Sequence, residues 1–112
     1  MTKEVRFPRD KANVAEFEHP NGETGILIGF RSTGKEIADA FDIQIPVDSN
    51  DPDDLEYKRE ELEKPVVFPM KHKADGATNF EEYEYDDDEI VLTLTDEQYE
   101  QTRRYFKHTL IP

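Results

Sequence analysis

Residues 89–110, EIVLTLTDEQYEQTRRYFKHTL, constrain this chain more than any other stretch: a strand, a helix start and an amphipathic helix follow one another without a break. Ile90, Leu92 and Leu94 alternate with Val91 and Thr93, the period of two expected of a strand with a buried face. Thr95 reads as an N-cap, and Gln98 three residues later completes a capping box. Leu94 and Tyr99 bracket the cap as a hydrophobic staple would. Acids at 96 and 97 and bases at 103, 104 and 107 suit the two ends of a helix dipole. Tyr99, Thr102, Phe106 and Leu110 fall on one side, so the helix can fold back onto its own strand.

The rest of the chain supplies more strands and two further helices. Residues 4–7 read as an edge strand closed by Pro8. Residues 13–18 and 24–31 flank Pro20-Asn21-Gly22-Glu23, a hairpin signal in which Asn21 and Gly22 are both expected at positive φ. Ile26, Leu27 and Ile28 are consecutive apolar residues, which points to a central strand covered on both faces. Thr33 and Glu36 form a second capping box opening a short helix over 34–41. Residues 42–47 (DIQIPV) alternate as a strand. Residues 49–54 (SNDPDD) are a turn cluster able to cap a charged helix over 55–64, with Leu55, Tyr57 and Leu62 as its thin stripe. Residues 65–70 are a further strand and 74–79 a loop. Together these predict a single α+β domain over 1–112, a mainly antiparallel sheet with about three helices packed on one face.

Charge sets the functional expectation. The net charge is −13, split −7 through Glu56 and −6 after it, so no detachable acidic tail accounts for it. Such a field repels nucleic acid and membrane surfaces and steers the protein towards basic partners. The chain has no cysteine, which excludes disulfides and thiolate metal sites within it. No apolar run approaches the ~18 residues of a membrane span, and the simplest expectation is a soluble cytoplasmic protein.

Motifs for catalysis and cofactors fall short on inspection. Residues 29–36, GFRSTGKE, match the glycine and lysine spacing of a phosphate-binding loop between a strand and a helix. The next position should be Ser or Thr to hold Mg²⁺, and Glu36 would instead set a carboxylate beside the phosphates. Asp48, Asn50, Asp51, Asp53 and Asp54 are dense enough for Ca²⁺ but out of register for an EF-hand, with Pro52 at the fifth position. His19, His72 and His108 have no paired spacing. No nucleophile elbow is present, and the carboxylates are too many to single out a dyad. The expectation is therefore no enzyme, no cofactor and no metal.

What remains is residues 80–89, FEEYEYDDDE, with seven acids in ten positions. Acids along a strand lie ~6.6–7 Å apart on each face. That is taken as close to the spacing of phosphates along one nucleic-acid strand, whose base levels rise by ~3.4 Å. Glu82 and Glu84 share one face, and Tyr83 and Tyr85 the other. The candidate partner-binding residues are Glu81, Glu82, Tyr83, Glu84, Tyr85, Asp86, Asp87, Asp88 and Glu89. The expected function is a non-enzymatic acidic inhibitor or decoy, a mimic of nucleic acid for a basic nucleic-acid-binding protein, of the kind phages and mobile elements encode. Direct nucleic-acid or membrane binding is not expected. Two alternatives stand beside it: an assembly subunit of a larger particle, joined through the basic clusters Arg6-Arg9-Lys11, Lys71-Lys73 and Arg103-Arg104-Lys107, and an immunity-type inhibitor of a basic toxin. The bland reading of 80–89 is a half-core strand whose acids face water.

Overall fold

The computed structural model describes residues 1–48, 50–73 and 78–111. The antiparallel strands divide into two three-stranded sheets rather than the single sheet expected. β1 (Thr2–Pro8), β6 (Glu89–Thr95) and β5 (Glu82–Tyr85) form one sheet in the order β1-β6-β5. β2 (Ala12–Glu18), β3 (Thr24–Thr33) and β4 (Pro65–His72) form the other in the order β2-β3-β4. A 3-10 turn over Arg9–Lys11 links the two sheets. The helices are α1 (Gly34–Ala40), α2 (Pro52–Glu63) and α3 (Asp96–Leu110). The α+β class holds.

The capping boxes form as expected, because each needs only four consecutive residues to satisfy amides that a helix start leaves open. At α1, Thr33 Oγ1 accepts from Glu36 N at 3.2 Å and Glu36 Oε1 accepts from Thr33 N at 3.1 Å. At α3, Thr95 and Gln98 make the same exchange at 3.1 and 3.0 Å. The Ser49–Asp54 cluster caps α2 through Asp51, which accepts from the amides of Asp53 and Asp54; Ser49 and residues 74–77 of the expected 74–79 loop lie outside the described residues. Of the expected α2 stripe, Leu55 and Tyr57 are exposed, and the helix carries no buried residue.

The core lies between the sheets and under α1 and α3. Ile90, Leu92 and Leu94 of β6 are sealed, as are Ile28 and Phe30 of β3. Phe7 of β1 meets Phe30 at 4.8 Å and Phe68 of β4 at 5.8 Å between ring centroids, stitching one sheet to the other. Phe106 of α3 packs on Phe68 at 4.8 Å and on Phe41 at 5.4 Å. Tyr99 and Phe106 are the buried residues of α3, so its inward stripe is the expected one.

Three local expectations fail: cover on both faces of β3, a strand over 42–47, and positive φ at Asn21 as well as Gly22. β3 is central but covered on one face only: Ile28, Phe30 and Ser32 are buried while Leu27 and Arg31 are exposed on the other. Residues 42–47 are not a strand. Asp42 adopts φ 51° and Ile43 N–H donates to Ala38 O at 2.8 Å, a Schellman closure of α1 that turns the chain away. Arg103 on α3 clamps that closure, donating to Phe41 O at 3.1 Å and Asp42 O at 3.0 Å. Ile43 is then buried without a ladder.

The β2–β3 hairpin forms, with Ala15 opposite Leu27 and Phe17 opposite Gly25, but its turn is longer than the two-residue type. Gly22 N–H donates to His19 O at 2.9 Å and His19 N–H to Glu23 O at 2.8 Å, so only Gly22, at φ 89°, needs the left-handed region. Asn21 instead accepts from Glu23 N–H through its side chain at 3.0 Å. Gly22→Val is expected to cost about 1–2 kcal/mol in urea unfolding, because a β-branched residue is strained there. No loss of stability would mean that the turn re-forms in another geometry.

Candidate acidic binding surface

Residues opposite one another in a sheet share a face, so the register of β1, β6 and β5 decides what the acids can do. Tyr83 lies opposite Leu92 and Tyr85 opposite Ile90, which puts both tyrosines on the core side. Glu82 lies opposite Thr93 and Glu84 opposite Val91, which puts both carboxylates on the outer side. From the far edge, Glu4 is also opposite Thr93 and Arg6 opposite Val91. The outer face therefore carries the rows Glu4–Thr93–Glu82 and Arg6–Val91–Glu84.

The expected acidic ladder is shorter than residues 80–89. The strand ends at Tyr85, because Asp86 N–H bonds Glu89 O at 3.0 Å and closes a hairpin turn. Asp86 Oδ1 accepts from Asp88 N at 2.8 Å and Glu89 N at 2.9 Å. Those amides, Glu89 first, hold the Asp86 carboxyl below its ordinary range. A group with a depressed folded pKa contributes above its unfolded pKa and loses that contribution as pH falls through the folded one, so this clip is intact at neutral pH. The strand spacing of ~7 Å thus applies to Glu82 and Glu84, while Asp87 and Asp88 cluster at the turn.

The nine candidates separate by what they touch. Glu81 leaves the outer face and accepts from Gln98 Nε2 at 2.8 Å, tying the start of β5 to α3. Glu89 takes Arg6 Nη1 at 2.6 Å, and Arg6 Nη2 also reaches Glu4 at 3.1 Å. Asp86 is spent on the turn. Among the described residues, no salt bridge reaches Glu82, Glu84, Asp87 or Asp88. These four exposed carboxylates are the uncompensated part of the surface.

The tyrosines behave as the bland reading has it, in part. Tyr83 is half-buried against the core, and burial followed by the nearby Glu16 carboxylate raises its pKa. Tyr85 is 54% exposed, lies parallel to Tyr83 at 6.0 Å between centroids, and sits under the Arg9 guanidinium at 4.6 Å. Arg9 Nη1 also donates to Ala12 O at 2.8 Å. Arg6 and Arg9, two members of an expected basic cluster, are thus engaged inside the acidic region. Arg103, in another, holds the end of α1.

Glu4 and Arg6 were missed as members of this surface. They sit at the other end of the sequence from the acidic run they join, and the β1–β6 pairing brings them there. The other motif-like stretches resolve into structural tasks. In residues 29–36 the Thr33 and Glu36 side chains are turned on each other's amides, and Gly34 packs closely against α2 and α3. A Cβ there would stand 3.1 Å from Leu110 Cδ2 and 3.4 Å from the Leu62 backbone. In the aspartate cluster, Asp48 Oδ1 accepts from Asn50 N at 3.0 Å and Asp54 Oδ2 from Asp48 N at 2.8 Å, so the acids knot their own turn. Among the described residues no helix is long and apolar enough to cross a membrane. Comparison with protein-family models, with curated proteins and with solved structures finds no match to this chain.

Proposed function

We propose that this chain is a non-enzymatic acidic binding protein whose outer β5–β6 face engages a basic protein, occupying a surface that otherwise receives nucleic acid. One observation carries this reading. Glu82, Glu84, Asp87 and Asp88 stand exposed together, and the arginines nearest in the fold, Arg6 and Arg9, are already committed to Glu4, Glu89, Tyr85 and Ala12. The negative field is therefore left for an external cation to meet. On a chain of net charge −13 it also speeds encounter with a basic partner.

The test is capture of partners on the immobilised chain, followed by titration of the captured protein in rising salt and against duplex DNA. The expected result is a basic protein whose affinity falls steeply between about 0.05 and 0.5 M salt, as the Debye length contracts from roughly 14 to 4 Å. DNA and this chain should then compete for it. A partner held with no salt dependence, or one that binds DNA and this chain at once, overturns the decoy reading.

A further inference from the structure

The geometry points to a second interaction surface, on the opposite edge of the same sheet: we propose that β1 pairs with β1 of a second copy, antiparallel, to make a continuous six-stranded sheet. The direction of each backbone group on β1 is fixed by the ends of its ladder. Asp96 N–H bonds Met1 O and Arg9 N–H bonds Asp88 O, so the odd residues of β1 exchange hydrogen bonds with β6. The amides and carbonyls of Thr2, Glu4 and Arg6 then point away from the sheet. Among the described residues nothing in the chain meets them. All three residues are exposed.

An open edge is ordinarily guarded, and the other three edges of the two sheets are. On β4 the outward positions include Pro65 and Pro69, which have no N–H, and Asn79 occupies both the amide and the carbonyl of Lys71. β5 spans four residues and begins at a bulge, where Glu81 N–H bonds the same Thr93 carbonyl whose register partner is Glu82. β2 carries Glu16 and Glu18 at its outward positions, and a second copy would bring like charges together. β1 is seven residues long, its outward proline, Pro8, stands only at the strand's end, and the outward positions within it hold both signs, Glu4 and Arg6.

Opposite signs two residues apart select one register. Outward residues must pair with outward residues, so Glu4 faces Glu4, Arg6 faces Arg6, or Glu4 faces Arg6 of the second copy. Only the last sets opposite charges together, and by two-fold symmetry it does so twice. In that register the amides of Thr2, Glu4 and Arg6 meet the carbonyls of Pro8, Arg6 and Glu4 of the second copy. Pro8 has no amide to return to the Thr2 carbonyl of the second copy, so that carbonyl stays with solvent at each end of the pairing. The guanidinium of Arg6 has donors enough to keep Glu89 while reaching across. The acidic β5–β6 faces would then lie at the two ends of one sheet, five strand spacings or about 24 Å apart from β5 to β5.

Sedimentation equilibrium of the full chain, from about 10 μM to about 1 mM, reads the association directly. It is run at about 0.15 M salt, where the repulsion between two acidic copies is screened beyond ~8 Å. The wild-type chain is expected to dimerise. Glu4→Arg and Arg6→Glu should each weaken dimerisation at least tenfold, since each sets like charges across the two-fold axis. An equimolar mixture of the two variants should associate again, because every charged pair in the mixed dimer is opposite. Glu60→Arg on α2 should leave dimerisation unchanged, and thermal unfolding by circular dichroism should show each variant folded. A wild-type chain that stays monomeric across the range overturns the proposal. So does a dimer indifferent to both reversals, or a mixture that does not associate. Because Glu4 and Arg6 also border the acidic face, capture of a basic partner is scored on the Glu82, Glu84, Asp87 and Asp88 reversals, which lie off β1, so the two readings can fail independently.

Discussion

Phe41→Ala is expected to lower the free energy of unfolding by about 3–5 kcal/mol, the range for truncating a fully buried phenylalanine. Its side chain is completely buried, and its ring lies 6.2 Å from Phe7, 5.6 Å from Tyr99 and 5.4 Å from Phe106. Those contacts join α1 to β1 and α3, so the hole would open where three elements meet. α1 has only seven residues and is held by this packing rather than by its own propensity. Against a typical domain stability of about 5–15 kcal/mol, such a loss leaves a thin margin. Urea unfolding followed by circular dichroism checks it, with Tyr105→Ala as the comparison. Tyr105 is 63% exposed and its ring lies 5.4 Å from Phe106, so its loss should stay within about 1 kcal/mol. Equal costs for the two would mean that the core closes over the Phe41 site.

The contrast between those aromatics also says where a sequence is legible. Capping boxes were readable because both partners lie within four residues and the chemistry is local. The inward stripes of β6 and α3 were readable because Ile90, Leu92, Leu94, Tyr99 and Phe106 keep strict periods. The division into two sheets was not, because it depends on β1 choosing β6 across more than 80 residues, and no local pattern marks that choice. Residues 42–47 misled for a related reason. Ile43 and Ile45 alternate as in a strand, yet burial of the first is achieved by a helix closure at Asp42 with Arg103 arriving from α3. The triplet Ile26, Leu27, Ile28 suggested burial on both sides, but Leu27 keeps 37% of its surface exposed. The acidic run was legible as composition. Its division into free, turn-forming and arginine-bound carboxylates was not, since Arg6 enters from the other end of the chain.

That division decides which substitutions should matter for binding. Replacing Glu82, Glu84, Asp87 and Asp88 together by Lys is expected to reduce affinity for the basic partner at least about a hundredfold, roughly 3 kcal/mol, through slower association and faster release. Asp86 is left intact because its carboxylate holds the turn through the Asp88 and Glu89 amides, and losing it would confound fold with function. The comparison set is Glu56, Glu60, Glu61 and Glu63 on α2, reversed to Lys with the same change in net charge. If the outer β5–β6 face is the contact, the α2 set should slow association slightly through the weaker overall field and leave the lifetime of the complex alone. Both variants should keep nearly the wild-type stability, since exposed charges contribute little to it. Surface plasmon resonance at two salt concentrations separates the two rates. Equal losses from both sets would mean that total charge, rather than this face, draws the partner. No loss from either would make the four carboxylates a solvated rim and remove the basis for the decoy.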